Sequence, residues 1–369
     1  MGQREGPLEA LELKNIYPQP DAKFWRGKRV WISGHTGFKG AWLALWLVRL
    51  GAKVRGYSLT PATNPSLFDL LCLTNDLEHQ IADIVDKNKV QQSIHDFRPE
   101  VVFHLAAQAL VRPSYLDPAL TFTTNFQGTV NVLEAVRSTK IARVVVAVTT
   151  DKVYRNHENG QAFQEKDPLG GKDPYSASKS AAEMAIASYR ESFFQRDGIA
   201  LAAARAGNVI GGGDWSVDRI IPDAVRAWGS GGILTVRNPE ATRPWQHVLE
   251  PLAAYLRLAE SLFLDPGLAG DYNFGPPPTQ VGSVRDVVLQ AKEAFGAGEI
   301  RWGTEPSVLD EARTLCLENH KAKQILGVTT VWSLDQAIEK TMSWYRIQLK
   351  GEEAIKLCES DFEAFLSTK

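Results

Sequence analysis

Tyr175-Ser176-Ala177-Ser178-Lys179 spaces a phenol and an amine four residues apart. On a helix that spacing puts both side chains on one face, one turn from each other. A tyrosine with its ordinary pKa near ~10 is a poor base at neutral pH. A neighbouring ammonium favours the phenolate, so Lys179 is expected to lower the pKa of Tyr175. Such a phenolate can take the proton of an alcohol while the carbon that bears it loses hydride to a nicotinamide. Pro174 suits the first turn of that helix. A surface helix carrying an ordinary tyrosine and lysine is the plainer alternative.

A second cluster lies upstream. In VAVTTDKVY, Val146–Tyr154, a β-branched apolar run ends in Thr149 and Thr150, and Asp151 and Lys152 follow at once. Parallel sheets bind ligands beyond the carboxyl ends of their strands. Adjacent residues leaving a strand diverge, so an acid and a base placed there can reach different atoms of one ligand. A solvated Asp-Lys loop is the alternative. Burial would lower the Lys152 pKa and an ionised Asp151 would raise it; the sequence leaves that balance open.

A third cluster binds rather than reacts. Ser33-Gly34-His35-Thr36-Gly37-Phe38-Lys39-Gly40 carries GxxGxxG between a strand and a helix. The first glycine permits a tight turn, the second a close approach to a pyrophosphate, and the third close packing of the helix on the sheet. Unpaired N–H groups at the helix start suit the anion. The second strand ends Val54-Arg55-Gly56-Tyr57-Ser58-Leu59-Thr60 without the acidic residue that marks NAD. Ser58 or backbone must then serve the ribose, and Arg55 raises a 2′-phosphate, hence NADP, as an open alternative. Asp83-Ile84 suits the adenine end, though Asp83 reads equally as a helix cap.

These clusters need elements to hold them. Lys28–Ser33, Ala52–Ser58, Val101–Leu105 and Arg143–Thr149 read as strands, and Ala41–Leu50, Lys87–Phe97 and Leu120–Ser138 as helices. Their alternation predicts an α/β, Rossmann-type doubly wound, mostly parallel sheet. Beyond about residue 210, GGGDWSVDRIIPD, RNPEATRPWQH and FGPPPTQVGS multiply glycine and proline. They predict ordered loops of a smaller C-terminal substrate-binding lobe, with helices near 221–229 and 248–264. Ser333–Gln348 reads as the final helix. The division expected is an N-terminal extension over 1–23, a mainly dinucleotide-binding domain with the catalytic residues over 24–205, a mainly nucleotide-sugar-binding lobe over 206–350 with segments returning to the first domain, and a C-terminal tail over 351–369.

The chain has 369 residues, of which 44% are hydrophobic, enough for a sizeable core. Lys and Arg number 41 against 43 Asp and Glu, a formal net charge of −2, so neither nucleic acid nor an anionic membrane is an expected partner. Apolar runs such as Ala41–Leu50 are too short to span a bilayer. The start, MGQREGPLEALELKN, lacks the apolar core of a signal peptide. Three cysteines, Cys72, Cys316 and Cys358, lie far apart and form no CxxC. A reduced cytoplasmic setting is expected, with no disulfide framework and no metal.

GHTGFKG, His104-Leu105-Ala106-Ala107-Gln108, TTDK and YSASK together resemble the extended short-chain dehydrogenase/reductase superfamily, over roughly residues 24–350. RAGNVIGGGDW at Arg205–Trp215, DRIIPD, and RPWQHVLEP at Arg243–Pro251 resemble its nucleotide-sugar 4,6-dehydratases, and within them the branch acting on CDP-D-glucose. Many related dehydratases carry Glu where this chain has Lys152; the lysine agrees with that branch.

The resemblance implies NAD, bound by Gly34, Thr36, Gly37, Phe38, Gly40, Ser58, Asp83, Ile84, Leu105, Ala106 and Ala107 together with Tyr175 and Lys179. It implies oxidation at C4 by Tyr175, aided by Lys179 and by Thr150 near the C4 oxygen. Loss of the C5 proton and the C6 hydroxyl follows, with Lys152 as base and Asp151 as acid, and hydride then returns to C6. Substrate candidates are Gln108, Arg112, Ser114, Arg205, Asn208, Trp215, Pro222, Arg243 and His247. Arg243 is the stronger phosphate candidate of the two arginines, Arg205 and Arg243, because a guanidinium fork binds two oxygens at once. Trp215 and His247 read equally as packing. A homodimer through helices within 120–137 and 175–193 is implied too, although their apolar residues can equally be covered within one subunit. The choice of cytosine rests on the resemblance alone. A 4-epimerase or reductase would share the glycine turn, Tyr175 and Lys179 but would not need Asp151 and Lys152. A non-catalytic dinucleotide-binding protein would need none of the catalytic residues.

Overall fold

The computed structural model describes residues 19–303 and 312–368. Seven strands make its main sheet: β1 (Arg29–Ser33), β2 (Lys53–Ser58), β3 (Glu78–Ile81), β4 (Val101–His104), β5 (Val144–Val148), β6 (Ala200–Ala206) and β7 (Asp271–Phe274). The order across the sheet is β7-β6-β5-β4-β1-β2-β3, and every neighbouring pair is parallel. The chain winds one way from β1 and the other way from β4. Loops leaving these two strands part company and open a crevice at their carboxyl ends.

Side chains of one strand alternate between two cores. Val144, Val146 and Val148 of β5 join one apolar cluster; Val145 and Ala147 join the other. Both faces are therefore buried, which is why these strands read as unbroken apolar runs. Helix α1 (Phe38–Arg49) and α6 (Leu249–Leu264) cover the first face. The second is covered by α2 (Lys87–Phe97), α3 (Gly128–Thr139) and α4 (Pro174–Tyr189). The smaller lobe carries α5 (Ile220–Gly229), a parallel pair Ile233–Val236 with Glu299–Trp302, and an antiparallel pair Thr242–Arg243 with Gly282–Ser283. No helix among the described residues is long and apolar enough to cross a membrane.

Three boundaries differ from expectation. The helix expected over 120–138 is a longer run, Pro118–Phe122, a π-turn at Thr123–Gln127, then α3. Its extra residue turns Asn125 inward, where the amide donates to Gln108 O at 3.0 Å and Ser178 Oγ at 2.9 Å. Second, the helix over 334–348, α7, is not the last. The expected tail forms α8 (Ala354–Ser367), because Leu357, Cys358, Asp361, Phe362 and Phe365 recur at helical spacing on one buried face. Phe362 packs 5.3 Å from Trp42 and 5.0 Å from Trp46, ring centre to ring centre. Third, attachment of the N-terminal segment begins before residue 24. The Asp21 amide and the Trp25 indole donate to Glu260 Oε1 at 2.8 and 2.7 Å. Residues 1–18 of the expected extension lie outside the described residues.

Candidate active site

β1 delivers its last residue, Ser33, to the edge of the crevice, and the chain turns there. Gly34 has φ +79°, and a Cβ on it would sit 2.8 Å from Ala106 N, so the turn and the loop after β4 touch through bare backbone. A Cβ on Gly40 would lie 2.0 Å from Gly34 O, which fixes how closely α1 meets the turn. Gly37 caps α1 without a side chain and is exposed. That leaves N–H groups facing the crevice, a cradle shaped for a phosphate ester. Ser33 Oγ accepts from Leu105 N and Ala106 N, both at 3.1 Å, and contacts His104 Nδ1 at 2.7 Å. Burial holds His104 down to about 3, so the ring is a neutral brace between Ser33 and Thr129.

A cavity of about 740 Å³ runs from this cradle to the smaller lobe. It is lined by every residue expected to bind the cofactor: Gly34, Thr36, Gly37, Phe38, Gly40, Ser58, Asp83, Ile84, Leu105, Ala106, Ala107, Tyr175 and Lys179. Thr36 Oγ1 meets Ser58 Oγ at 2.8 Å and donates to Leu59 O at 2.9 Å, tying the end of β2 to the glycine turn. Arg55 is elsewhere. Its guanidinium bonds Glu78 and Ser93 O and lies over the Phe97 ring, so it does not offer itself to a 2′-phosphate. Asp83 accepts from Val85 N at 2.9 Å; the cap of α2 is Asp86.

The catalytic candidates converge in the same cavity. β5 ends in Thr149 and Thr150, and Asp151–Val153 forms a 3-10 turn capped by the Thr150 hydroxyl, which accepts from Lys152 N at 3.3 Å. The same hydroxyl donates to Asp151 Oδ1 at 2.9 Å. Asp151 is 2% exposed and its Oδ2 has no hydrogen-bond partner among the described residues. Burial pushes this carboxyl above the usual range, against the opposing pull of Lys152, Thr150, Arg243 and Lys39. An upward shift is the direction that suits an acid.

Opposite, Asp173 caps α4 by accepting from Ser176 N at 2.9 Å, with Pro174 in the first turn. Tyr175 and Lys179 project one turn apart into the cavity. The expected depression of the Tyr175 pKa is not what the structure shows. Burial dominates and pushes the phenol up to about 12, while the influence of Thr150 pulls the other way. Lys179 Nζ instead donates to Val148 O at 3.2 Å, and burial lowers it to about 8.

Gln108, Arg112, Asn208, Pro222 and Arg243 also line the cavity. Four expected substrate contacts do not. Arg205 is 1% exposed and forms a structural cluster, bonding Glu183 through two nitrogens at 2.9 and 2.8 Å, Asp271 at 3.1 Å and Tyr154 at 2.9 Å. It sits within β6 with its side chain under α4, which sequence spacing alone does not reveal. His247 is fully buried between Trp332 and Trp42, held down to about 3 and therefore neutral. Trp215 packs edge-on against Tyr345, 5.2 Å between ring centres. Ser114 is buried under the start of α4, where its hydroxyl accepts from Tyr175 N at 3.2 Å; it positions the tyrosine.

Residues without an assigned role also enter the cavity. Lys39, inside the glycine turn, has its amine 3.5 Å from the Tyr255 hydroxyl, and burial followed by Arg219 lowers it to about 7. Arg219, in the DRIIPD segment, pairs with Asp214 at 3.0 Å. Arg237 and Arg112 both reach Asp218, at 3.3 and 3.0 Å. Lys39, Arg219 and Arg237 all lay inside segments read for other residues.

Comparison with known proteins places this arrangement. The GDP-mannose 4,6 dehydratase family pattern matches residues 31–341. A CDP-glucose 4,6-dehydratase of Salmonella typhimurium is 41% identical over 360 residues, covering 94% of this chain and 98% of that one. A UDP-glucose 4-epimerase of Mycolicibacterium smegmatis is 28% identical, covering 86% and 98%. Among solved structures, a Thermus thermophilus UDP-glucose 4-epimerase complexed with NAD superposes with a TM-score of 0.73 at 26% identity, over 86% of this chain and 99% of that one. A Bacillus anthracis dTDP-glucose 4,6-dehydratase in complex with NAD gives 0.73 at 20% identity, over 88% and 98%, a likeness of fold.

Proposed function

The chain belongs to the nucleotide-sugar 4,6-dehydratases of the extended short-chain dehydrogenase/reductase superfamily, and from that membership we propose that it converts CDP-D-glucose to CDP-4-dehydro-6-deoxy-D-glucose and water, using NAD without net consumption. The observation that carries the proposal is the meeting of Asp151 and Lys152 with Tyr175, Lys179 and the glycine cradle in one cavity. An epimerase or reductase has no elimination to perform and no use for that acid–base pair. The 41% identity to a CDP-glucose enzyme supports cytidine over other nucleotides.

The bare backbone of Gly34, Gly37 and Gly40 fits the dinucleotide's pyrophosphate, and the Thr36–Ser58 pair fits its ribose. Bound NAD supplies the acceptor for the C4 hydride, its later donor at C6, and a positive ring charge that favours phenolate at Tyr175. Tyr175 takes the proton of the C4 hydroxyl, and Thr150 holds that oxygen. The resulting C4 ketone acidifies the C5 proton. Lys152 removes that proton, and Asp151 protonates the C6 hydroxyl as it leaves. Once C6 has received hydride, Lys152 returns a proton to C5. The test is to offer CDP-, dTDP-, UDP- and GDP-hexoses separately and identify products by mass and NMR. Loss of water from CDP-glucose with a new 4-keto group is the expected result; no dehydration of any hexose removes the proposal.

Arg243 is 4% exposed, lines the cavity and is steadied by Thr242 O at 2.8 Å and Arg313 O at 3.1 Å. A steadied guanidinium suits a diphosphate. Charge-assisted contacts are worth roughly 1.5–3 kcal/mol, so Arg243→Ala is expected to weaken CDP binding by about 10- to 100-fold. Isothermal titration with CDP reads this directly. Unchanged affinity in a folded variant would move the phosphate site to Arg219.

Leu120, Phe122, Phe126 and Met184 are exposed on the helices expected to pair, and Leu116 on the neighbouring Val111–Leu116 helix extends that apolar surface. It supports a homodimer formed there. Light scattering on a Leu116→Glu, Met184→Glu variant should give a monomer where the parent is a dimer; a monomeric parent removes the assignment. Three unpaired cysteines support a reducing, cytoplasmic setting.

A further inference from the structure

We propose that Arg237 and Asp218 read the base of the substrate's nucleotide and admit cytosine in preference to uracil or thymine. The inference deepens the CDP-D-glucose reading above and rests on it. A nucleoside diphosphate sugar carries its base on the far side of the diphosphate from the hexose. With the hexose at Tyr175 and Asp151 and the diphosphate at Arg243, the base falls against the smaller lobe. There Val236, Ala241 and Val284 line the cavity, and Val284 N donates to Ala241 O at 2.9 Å. Apolar walls suit the faces of a flat ring, and a few placed polar groups then fix its edge. Arg237 follows Val236 at the end of the strand Ile233–Val236. It lines the same cavity, as does Asp218.

The pair is held so that its remaining atoms match one edge. Asp218 Oδ1 accepts from Arg112 Nη1 at 3.0 Å and from Arg237 Nη1 and Nη2 at 3.4 and 3.3 Å. Asp218 Oδ2 and Arg237 Nε have no hydrogen-bond partner among the described residues. Burial pushes the Asp218 carboxyl up, but Arg112 and Arg237 outweigh it and hold the group below its usual range, so it stays an acceptor. Cytosine offers an amino donor at N4 and acceptors at N3 and O2. A carboxylate oxygen meets the first, and a guanidinium fork meets the other two. Uracil and thymine present an acceptor at O4 and a donor at N3. The carboxylate then faces O4, a guanidinium N–H faces the N3 hydrogen, and both contacts turn repulsive.

The test measures binding of CDP and of UDP to the full chain loaded with NAD, by isothermal titration, with retained NAD as the check on folding. The Arg237 and Asp218 side chains are 48% and 28% exposed, so water competes and the effect lies at the low end for charge-assisted contacts. The parent should therefore bind CDP at least about tenfold more tightly than UDP. Residue 218 has φ +59°, a conformation that asparagine tolerates, so Asp218→Asn keeps the backbone and lets an amide donate to O4. Arg237→Gln offers an acceptor to the N3 hydrogen and a donor to O2. Each variant should lower the CDP-to-UDP preference by roughly three- to tenfold, and the double variant should abolish it, with UDP bound more tightly than by the parent. A charge that merely helps to hold the diphosphate would weaken both nucleotides alike and leave the preference unchanged. That result, or a parent that binds CDP and UDP equally, overturns the base reader. Turnover of CDP- and UDP-glucose by the parent is followed alongside. Dehydration of CDP-glucose with a preference that the variants leave unchanged removes the reader and leaves the function standing. A parent that dehydrates UDP-glucose as readily as CDP-glucose overturns the cytidine reading, and the reader with it.

Discussion

Lys152→Ala is expected to leave oxidation at C4 running while elimination slows by roughly 10²- to 10⁴-fold, the usual contribution of a positioned acid or base. The reasoning is spatial. Tyr175, Lys179 and Thr150 reach the cavity from α4 and the end of β5. Lys152 enters it from the 3-10 turn, where its backbone amide donates to Thr150 Oγ1 at 3.3 Å. Lys152→Ala leaves Tyr175, Lys179 and Thr150 themselves in the chain, so the groups assigned to oxidation remain. A rapid-quench experiment in deuterated water, followed in the reduced-nicotinamide band, separates the stages. Reduced cofactor should accumulate, and exchange of the C5 proton should fall with water loss. If the folded variant exchanges C5 and loses water at the normal rate, Lys152 is not the base. Asp151→Asn tests the partner: C5 exchange should persist while water loss lags.

Glu183→Ala should cost about 3–5 kcal/mol of stability, because it removes the more deeply buried of the two carboxylates paired with a buried guanidinium. Glu183 and Arg205 side chains are 1% and 2% exposed, joined by two nitrogen–oxygen contacts. Thr149 Oγ1 also donates to Glu183 Oε1 at 2.5 Å, so the loss lands one residue from Thr150. The Glu183→Leu, Arg205→Met double variant removes both charges and should recover most of the stability, with Asp271 still held by Arg190 at 2.8 Å. Denaturant unfolding reads both. A neutral Glu183→Ala, or a double variant no better than the single, would mean that the pair is not the brace under β6 and α4 that its burial implies.

The strands and the glycine turn were legible because each states a local rule. Valine runs mark strands buried on both faces, and GxxGxxG marks a turn that only bare backbone can make. Tyr175 and Lys179 were legible because one helical turn is a fixed distance. The second lobe was not. Arg205 and Arg243 both sit in motifs of the family, yet one braces the sheet and the other faces the cavity, and only the fold separates them. His247 was ambiguous for the same reason: a histidine between two tryptophans in space is three unrelated residues in sequence. The pKa of Tyr175 ran against the expectation because burial outweighs a neighbouring amine that turns its proton toward Val148 O. The helix α8 was hidden by its place after Lys350-Gly351, where a charged, glycine-containing break reads as the end of structure.

The account turns on one hydride leaving C4 and returning to C6 of the same sugar. CDP-glucose carrying deuterium at C4, turned over with NAD far below the substrate concentration, tests this most directly. The expected product is a 4-keto-6-deoxy sugar with the deuterium at C6, formed in many cycles per NAD with no reduced cofactor left over. Deuterium retained in the cofactor, reduced cofactor formed in step with product, or a C4 epimer with its C6 hydroxyl intact would contradict it.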